Sequence, residues 1–385
     1  MAERVRPARP EFVEKYLTAI FAEDLHVKRI KSLADATLGA MTGASLAVSI
    51  IGQSLAQARG LMSRHTTKQV DRLLSNQGIV VWDLFSSWVA EVVGQREQAL
   101  IAMDWTDFDA DDQTTLALSL VTGRGRAMPL LWITVFKSEL KDKRNHYEDL
   151  CLARLADVLP EGVKVTILAD RGFGDTKLFS YLTRLGFAFV IRFRGNIHVT
   201  AADGEKRLAA DWVGKGGRPR KLRDAEMTAG RHKVRAVVCV HAKNMKEPWC
   251  LATSNAEAST RELINHYAER WTIEPCFRDT KDLRFGMGLS VLRIADPYRR
   301  DRLLLVNAFA IMLLTLLGAA GESLGMDRQL RTSTAKRRVH SLFRQGWMLY
   351  ELIPNMPESR LQPLVDKFYK LILQSPTFTH VFYLA

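Results

Sequence analysis

The hydrophobic period of the sequence changes near residue 98, and this change constrains the fold more than any other feature. Residues 11–95 carry apolar side chains at helical spacing with short polar breaks, which predicts a set of helices. Residues 98–136 instead contain three apolar, strand-like runs with short polar connections, namely QALIAMDW, QTTLALSLVTG and AMPLLWITVF. Three such runs in succession predict a meander of neighbouring antiparallel strands.

The segments that follow alternate between helix and strand. The stretch EDLCLARLADVLP predicts a helix that ends at its proline, and VKVTILAD predicts a strand that is apolar along nearly its whole length. Such a strand is typically buried on both faces, as in a parallel sheet. Further strands are predicted for FAFVIRFRG, VRAVVCVHA and PWCLATSN, and a long helix begins near Thr260. The sequence therefore predicts an α/β fold.

Positive charge predominates in the sequence. The 385 residues include 55 Lys and Arg against 42 Asp and Glu, a formal net charge of +13. Such an excess predicts a polyanionic partner. Residues 203–235 concentrate ten of the cations together with glycine and proline, which predicts a basic insertion that faces the polyanion.

Two of the predicted N-terminal helices are typical of DNA recognition. A helix with the small residues Ser45, Ala47 and Ser49 is followed by a break near Gly60 and then by a helix with a basic face. This order predicts a helix-turn-helix arrangement whose second helix presents cations to a DNA groove. An amphipathic helix with a solvated basic face is the alternative, and the segment alone does not decide between the two. The basic face consists of Arg64, His65, Lys68 and Arg72.

A reducing cytoplasm is the expected location. The four cysteines are far apart and form no CxxC or Cys/His cluster, so neither a disulfide framework nor a structural zinc site is expected. Residues 1–12 are basic but lack the apolar core of a secretory signal. The apolar run Leu303–Ala320 is long enough to be considered as a membrane span. Because Asn307 and Thr315 interrupt it, we expect a buried helix and no membrane contact.

Two aspartates stand at the ends of predicted strands. Asp104 ends the run ALIAMD, and Asp170 ends the run VTILAD. If these strands pair side by side, the two carboxylates meet at one edge of the sheet and supply the hard oxygen ligands that suit Mg²⁺. An isolated aspartate at a strand end is more commonly a turn former, and that alternative stays open for each residue taken alone. The motifs HExxH, GxSxG and GxxxxGK[ST] are absent, which disfavours zinc peptidases, serine hydrolases and P-loop enzymes.

Four polar residues share one face of the helix that begins near Thr260. Tyr267, Arg270, Glu274 and Lys281 are separated by 3, 4 and 7 residues. At about 100° per residue they fall within a stripe of roughly 60°. A carboxylate between two cations suits a metal ion beside a phosphate, whereas a solvated charged face is the alternative. Pro275 directly follows Glu274 and predicts a kink there.

This spacing, Tyr-x2-Arg-x3-Glu-x6-Lys, resembles the signature of the YREK group of bacterial cut-and-paste DDE transposases of insertion sequences. AMDW and LADRGFGD supply the other two acids of that pattern. The resemblance extends from the segment TKQVDRLLSN to the helix with Lys281 and weakens after about residue 300. It implies a ribonuclease-H-like α/β core interrupted by a β-rich insertion before the glutamate.

The resemblance implies three regions. Residues 1–95 would form a helical, helix-turn-helix-like DNA-binding domain. Residues 96–300 would form the catalytic domain, with the β-rich basic insertion at about 195–248. Residues 301–385 would form a helical C-terminal region used in dimer contacts.

The resemblance also assigns chemical roles. Two Mg²⁺ or Mn²⁺ ions would activate water or a 3′-hydroxyl for attack on phosphodiesters, and the matching acids are Asp104, Asp170 and Glu274. Contacts to phosphates near the transposon end would come from Tyr267, Arg270 and Lys281. Trp249 would stack on a base flipped from a hairpin end, and Trp212 in the basic insertion is the competing candidate.

We therefore predict a transposase that binds the terminal inverted repeats of its element, cleaves there through a hairpin and joins the ends to target DNA. Joining two ends implies a homodimer assembled on DNA. Two alternatives remain. One is a nuclease of the same core that cuts without joining, and the other is a non-catalytic, element-derived DNA-binding protein.

Overall fold

The computed structural model describes residues 10–373. Two ranges lie outside the described residues. They are residues 1–9, most of the basic N-terminal segment considered above, and residues 374–385, the end of the predicted C-terminal region. The α-helices are α1 (Pro10–Phe21), α2 (Val27–Gly43), α3 (Val48–Arg59), α4 (Ser63–Leu74), α5 (Val81–Val93), α6 (Arg144–Val158), α7 (Thr176–Arg184), α8 (Thr260–Glu269), α9 (Ile273–Lys281), α10 (Pro297–Ser323), α11 (Leu342–Leu352) and α12 (Glu358–Leu373). The strands are β1 (Gln98–Phe108), β2 (Gln113–Val121), β3 (Ala127–Phe136), β4 (Lys164–Ala169), β5 (Ala188–Phe193), β6 (His198–Thr200), β7 (Lys206–Leu208), β8 (Arg220–Met227), β9 (His232–Val240) and β10 (Trp249–Thr253).

The ten strands form one sheet in the order β3-β2-β1-β4-β5-β10-β9-β8-β6-β7. The first three strands are the predicted antiparallel meander. β4 pairs parallel with β1 and with β5, as its apolar sequence indicates, because crossovers through α6 and α7 return the chain in the same direction. The prediction of an α/β fold is confirmed.

The basic insertion continues this sheet. β8 and β9 form an antiparallel hairpin, and β9 pairs with β10, which in turn pairs with β5. The hairpin alternates buried apolar residues with exposed charged ones, so that Ala225 and Val237 are buried while Arg223 and Arg235 are exposed. Period-2 alternation of this kind gives a sheet extension with one covered face and one basic face.

Helices cover both faces of the central strands. One face packs Met103, Leu118 and Ile167 into the large core that also contains residues of α5, α6, α7 and α10. The other face packs Leu168 and Val190 against residues of α8 and α9. The polar residues of α8 and α9 are therefore held directly over the central strands.

Helix α10 lies in the protein interior. Within residues 10–373, one helix, α10, is long and apolar enough to cross a membrane, or up to two spans if the bent pair α2–α3 counts as one; 89% of the most apolar window of α10 is buried in protein. Asp296 caps α10 by accepting from the Tyr298 N–H, so the predicted boundary at residues 300–301 falls inside a helix rather than in a linker. The helix begins earlier than predicted because this aspartate and Pro297 are favoured at a helix N-terminus.

The N-terminal and C-terminal helices share the core around α10. The ring of Phe309 in α10 lies 4.7 Å from that of Trp88 in α5. The Phe12 ring of α1 lies 5.9 Å from that of Phe368 in α12, and the hydroxyls of Thr42 and Tyr350 are 3.1 Å apart. The predicted DNA-binding and C-terminal regions are therefore in direct contact.

Candidate active site

Asp104 lies within β1, not at its end. The strand continues to Phe108, because Thr106 and Asp107 still pair with β2. The Asp104 Oδ1 accepts from the Trp105 N–H at 2.9 Å, and Oδ2 accepts from the Arg270 Nη1 at 3.1 Å. Burial raises the pKa of Asp104 to about 6, against the opposing effect of the Arg270 guanidinium.

Asp170 follows β4 directly, and strand pairing brings it beside Asp104. Met103 pairs in register with Ala169, so the next residue of each segment is one of the two aspartates. Asp170 Oδ1 accepts from the Gly172 N–H at 2.7 Å and thereby starts the short turn Arg171–Phe173. The proximity predicted for the two acids is observed, although only Asp170 stands at a strand end.

Arg270 lies in a break between α8 and α9. The single helix predicted from the sequence is interrupted by the 3₁₀ turn Arg270–Thr272, and α9 starts at Ile273. Pro275 sits in the first turn of α9, where its missing N–H is tolerated, so the irregularity lies one turn before the predicted kink.

The Arg270 guanidinium bridges two acids. It contacts Asp104 at 3.1 Å and Glu274 Oε1 at 3.4 Å, and its side chain is 5% exposed. The Arg270 Nε is buried without a hydrogen-bond partner among the described residues. The structure thus puts Arg270 against the carboxylates, which is a different environment from the exposed phosphate contact expected from the helical stripe.

Tyr267 and Lys281, the other members of the stripe, are also engaged within the protein. Tyr267 is 1% exposed and packs edge-on against the Trp249 ring at 4.8 Å. The Lys281 Nζ donates to the Asp107 carbonyl at 2.6 Å and to Thr106 Oγ1 at 3.1 Å. Burial lowers the pKa of Lys281.

Lys281 lines an open cleft of about 750 Å³, whereas Tyr267 and Arg270 are not among its lining residues. Its walls contain all three predicted acids together with cations from two different helices. The lining charged residues are Asp104, Asp107, Arg144, Asp170, Glu274, Arg278, Lys281 and Asp282.

The acids suit a divalent ion by their chemistry but not by their present spacing. Carboxylate oxygens are the hard donors that Mg²⁺ and Mn²⁺ take. In the described part of the chain, no group of three or more His, Cys, Asp or Glu side chains is arranged to hold one ion. The Arg270 guanidinium instead contacts both Asp104 and Glu274.

The family model described as "Transposase DDE domain" matches residues 96–293, just over half of the chain. The chain belongs to the DDE transposase family. No curated protein matches it. The matched span of the transposase contains all three acids and both walls of the cleft, and it excludes the N-terminal helices and α10 to α12.

The tryptophans of the transposase differ from expectation. Trp212 is completely buried and donates from Nε1 to the Val199 carbonyl, so the idea that it is a free stacking surface is wrong. Trp249 is partly buried against Tyr267. Trp271, which directly follows Arg270, is 51% exposed beside the Arg270 guanidinium. Helical periodicity gives no signal for this exposure, because Trp271 lies in the 3₁₀ turn that interrupts the predicted helix.

The predicted helix-turn-helix segment of the transposase consists of α3 and α4. α3 ends at Gly60, which has a φ of +67°, and the two helices cross closely where the Thr66 hydroxyl donates to the Gly52 carbonyl at 2.6 Å. The side chains of Arg64, Lys68 and Arg72 on α4 are exposed. A hollow of about 580 Å³ between α2 and α4 is lined by Lys28, Arg29, His65, Lys68 and Arg72.

Proposed function

We propose that this transposase cuts DNA at the ends of its element and joins the ends to target DNA, with Asp104, Asp170 and Glu274 as metal-binding acids. The observation that carries the proposal is the meeting of these three carboxylates in one cleft. The parallel register of β1 with β4 supports the pairing of the aspartates, and the contact of Arg270 with Asp104 and Glu274 supports the position of the third acid.

The strand order supports a ribonuclease-H-like core as part of the proposal. Three antiparallel strands followed by two parallel ones, in the order β3-β2-β1-β4-β5, is the arrangement that the resemblance to the YREK group implies. The extra strands β6 to β9 fall between β5 and the helix with Glu274, where that resemblance expects an insertion.

The residues in and around the cleft would have different roles, namely metal binding by the acids and DNA binding by the cations. Bound Mg²⁺ or Mn²⁺ ions, two in the YREK-type scheme, would activate the attacking oxygen and neutralise charge on the leaving oxygen. Asp104, Asp170 and Glu274 would hold them. Arg270 and Lys281 would exchange their present partners for DNA phosphates when DNA binds. Tyr267 would hold the Trp249 ring in position by packing against it.

Binding to the terminal inverted repeats is assigned to Arg64, Lys68 and Arg72 on α4, and a homodimer would hold two ends together. Cleavage through a hairpin, with Trp249 stacking on a flipped base, is the finer part of the proposal. A nuclease without strand transfer and a non-catalytic DNA-binding protein are its competitors. The three intact acids in one cleft favour an enzyme over the latter.

The test uses duplexes with the inverted repeats that flank the gene. With Mg²⁺, the wild-type protein should cleave at the repeat end and should join a pre-cleaved end to plasmid DNA. Asp104→Asn, Asp170→Asn and Glu274→Gln should each abolish cleavage and leave end binding largely intact, because affinity comes mostly from Lys and Arg. Asp157→Asn is the control, since this exposed α6 acid pairs only with Arg154 among the described residues.

The outcomes separate the candidates. Cleavage without joining would identify a nuclease, and binding without cleavage would identify a non-catalytic protein. Normal Mg²⁺-dependent cleavage by any one of the three acid variants would remove that residue from the site.

A further inference from the structure

Arg144, the first residue of α6, is a cation held between the two aspartate-bearing segments. Its guanidinium carbon lies 5.5 Å from the centre of the Trp105 ring and 5.6 Å from that of Phe173. Trp105 directly follows Asp104, and Phe173 belongs to the turn that Asp170 starts. Each aspartate segment therefore contributes one aromatic wall to the position of Arg144.

One edge of this guanidinium is anchored. Its Nε donates to Glu148 Oε1 at 3.1 Å, and the same oxygen accepts from Trp105 Nε1 at 2.9 Å. Glu148 is 4% exposed, so its buried carboxylate holds the guanidinium in place. An anchored guanidinium loses less conformational freedom on binding a ligand than a mobile one does.

The other edge is available. Half of the Arg144 side chain is solvent-accessible, at 47%, and within residues 10–373 its two terminal nitrogens have no hydrogen-bond partner. A Cβ built on Gly172 would lie 3.9 Å from Arg144 Nη2 and 3.0 Å from Asp170 Oδ1. The free edge and the Asp170 carboxylate therefore both border Gly172, in the same cleft as the three acids.

We propose that Arg144 binds a phosphate of the DNA backbone in the cleft through its two terminal nitrogens; this rests on the proposed function. A guanidinium with two parallel N–H groups free is suited to two oxygens of one phosphodiester. Arg270 and Lys281 belong to the α8–α9 segment, whereas Arg144 belongs to α6. It therefore takes a different phosphate, on the Asp170 side of the cleft.

The experiment measures end-duplex binding without divalent metal at several salt concentrations, for the wild type, Arg144→Gln and Arg144→Lys. Arg144→Gln should lower the slope of log affinity against log salt by about 1, as expected for one lost phosphate contact. Arg144→Lys keeps the charge and should keep most of the slope. Arg184→Gln is the matched control, because this exposed arginine of α7 also lies over an aromatic ring, that of Tyr181, but does not line the cleft.

A second measurement locates the phosphate and remains valid if Arg144→Gln is unstable. Duplexes with a single neutral methylphosphonate are scanned around the cleavage site. One position should weaken the wild type and Arg184→Gln by about tenfold and weaken Arg144→Lys clearly less, because its ammonium keeps the charge contact but cannot grip two oxygens.

The result that would overturn the proposal is an unchanged salt slope for folded Arg144→Gln, or equal sensitivity of the wild type and Arg144→Lys at every position. Either would make Arg144 only the partner of Glu148. Failure of the proposed function would be recognised separately, because the wild type would then neither cleave nor join the end duplex in Mg²⁺.

Discussion

Arg270 is a buried cation whose partners are two of the proposed metal-binding acids. Its guanidinium occupies the space between Asp104 and Glu274, so a divalent ion has to compete with it. Two unit charges about 4 Å apart near a protein surface interact by about 4 kcal/mol, which is enough to weaken metal binding strongly.

Arg270→Gln is expected to increase the affinity for Mn²⁺ on the order of tenfold in the absence of DNA, because it removes the competing charge. Electron paramagnetic resonance of free Mn²⁺ during a titration measures this. Arg278→Gln is the control, since Arg278 lines the cleft of the three acids but lies over the Phe285 ring. An equal gain in both variants would indicate a general charge effect rather than competition at the carboxylates.

Asp301 is an acid outside the cleft with an unusual environment. Its Oδ1 is buried without a hydrogen-bond partner among the described residues, and Oδ2 lies 3.5 Å from the Thr134 N–H. Burial raises the pKa of Asp301 to about 7. The native state therefore keeps a proton that the unfolded chain releases at lower pH.

The contribution of Asp301 to the free energy of unfolding should fall as pH rises from about 4 to 7, by up to about 4 kcal/mol. Asp301→Asn should remove this part of the pH dependence and should therefore lose less stability than the wild type between pH 5 and pH 8. Urea unfolding at the two pH values measures it, with Asp157→Asn as the exposed control. Parallel losses in the wild type and Asp301→Asn would contradict the raised pKa.

Trp249, which packs against Tyr267, and Trp271, which lies beside Arg270, are two candidates for stacking on a flipped base. Trp249→Ala should leave the first nick nearly normal and make nicked DNA accumulate without hairpin, because base stacking on an aromatic ring contributes roughly 1–3 kcal/mol. A time course on end-labelled DNA measures both steps. A hairpin-specific defect in Trp271→Ala instead would transfer the role to the more exposed ring, and equal loss of all steps with a lower melting temperature would make Trp249 a core residue.

At the scale of elements, hydrophobic periodicity predicted most of the central strands, but it did not predict what individual side chains face. The strand meander and the parallel β4 follow from apolar patterns that any buried strand must have. The turn at Arg270–Thr272 and the burial of Trp212 do not, because both depend on what packs against a residue after the sheet forms. For the same reason the helical stripe predicted which residues share a side, but not that Arg270 would face carboxylates.

Helix α4 offers a direct test between recognition and a solvated face. Replacing Arg64, Lys68 and Arg72 together by Gln should lower the salt slope of end binding by about 3 if each contacts a phosphate. The control replaces three exposed cations on other elements, Lys15, Arg328 and Lys370. Equal effects of the two triple variants would show that the α4 cations act only through net charge.

At the scale of the whole molecule, α10 and α11 approach so closely that they require glycine. A Cβ on Gly318 would lie 1.9 Å from the Leu342 carbonyl oxygen, and one on Gly346 would lie 1.7 Å from that of Leu314. Contacts this short cannot be relieved by side-chain rotation, because a Cβ has a fixed position on its backbone and the atoms it would meet are backbone carbonyl oxygens.

Gly318→Ala should therefore lower the free energy of unfolding by about 1–3 kcal/mol or more, and Gly230→Ala should have little effect. Gly230 is a suitable control because its nearest contact to an added Cβ is 3.7 Å away. Calorimetric melting of the two variants measures the difference. A melting temperature of Gly318→Ala equal to that of the wild type would mean that the two helices can separate without cost.

The shared core of the first and last helices also affects how the protein is made. Phe12 contacts Phe368 and Thr42 contacts Tyr350, so each N-terminal residue packs against one that is translated more than 300 positions later. The basic helix α4 is therefore synthesised well before the C-terminal helices that complete the shared core. We expect a chain that stops before α11 to leave apolar faces of α1 and α2 uncovered and therefore to be degraded readily. Few short fragments that carry α4 without the complete core should then accumulate beside the full-length protein.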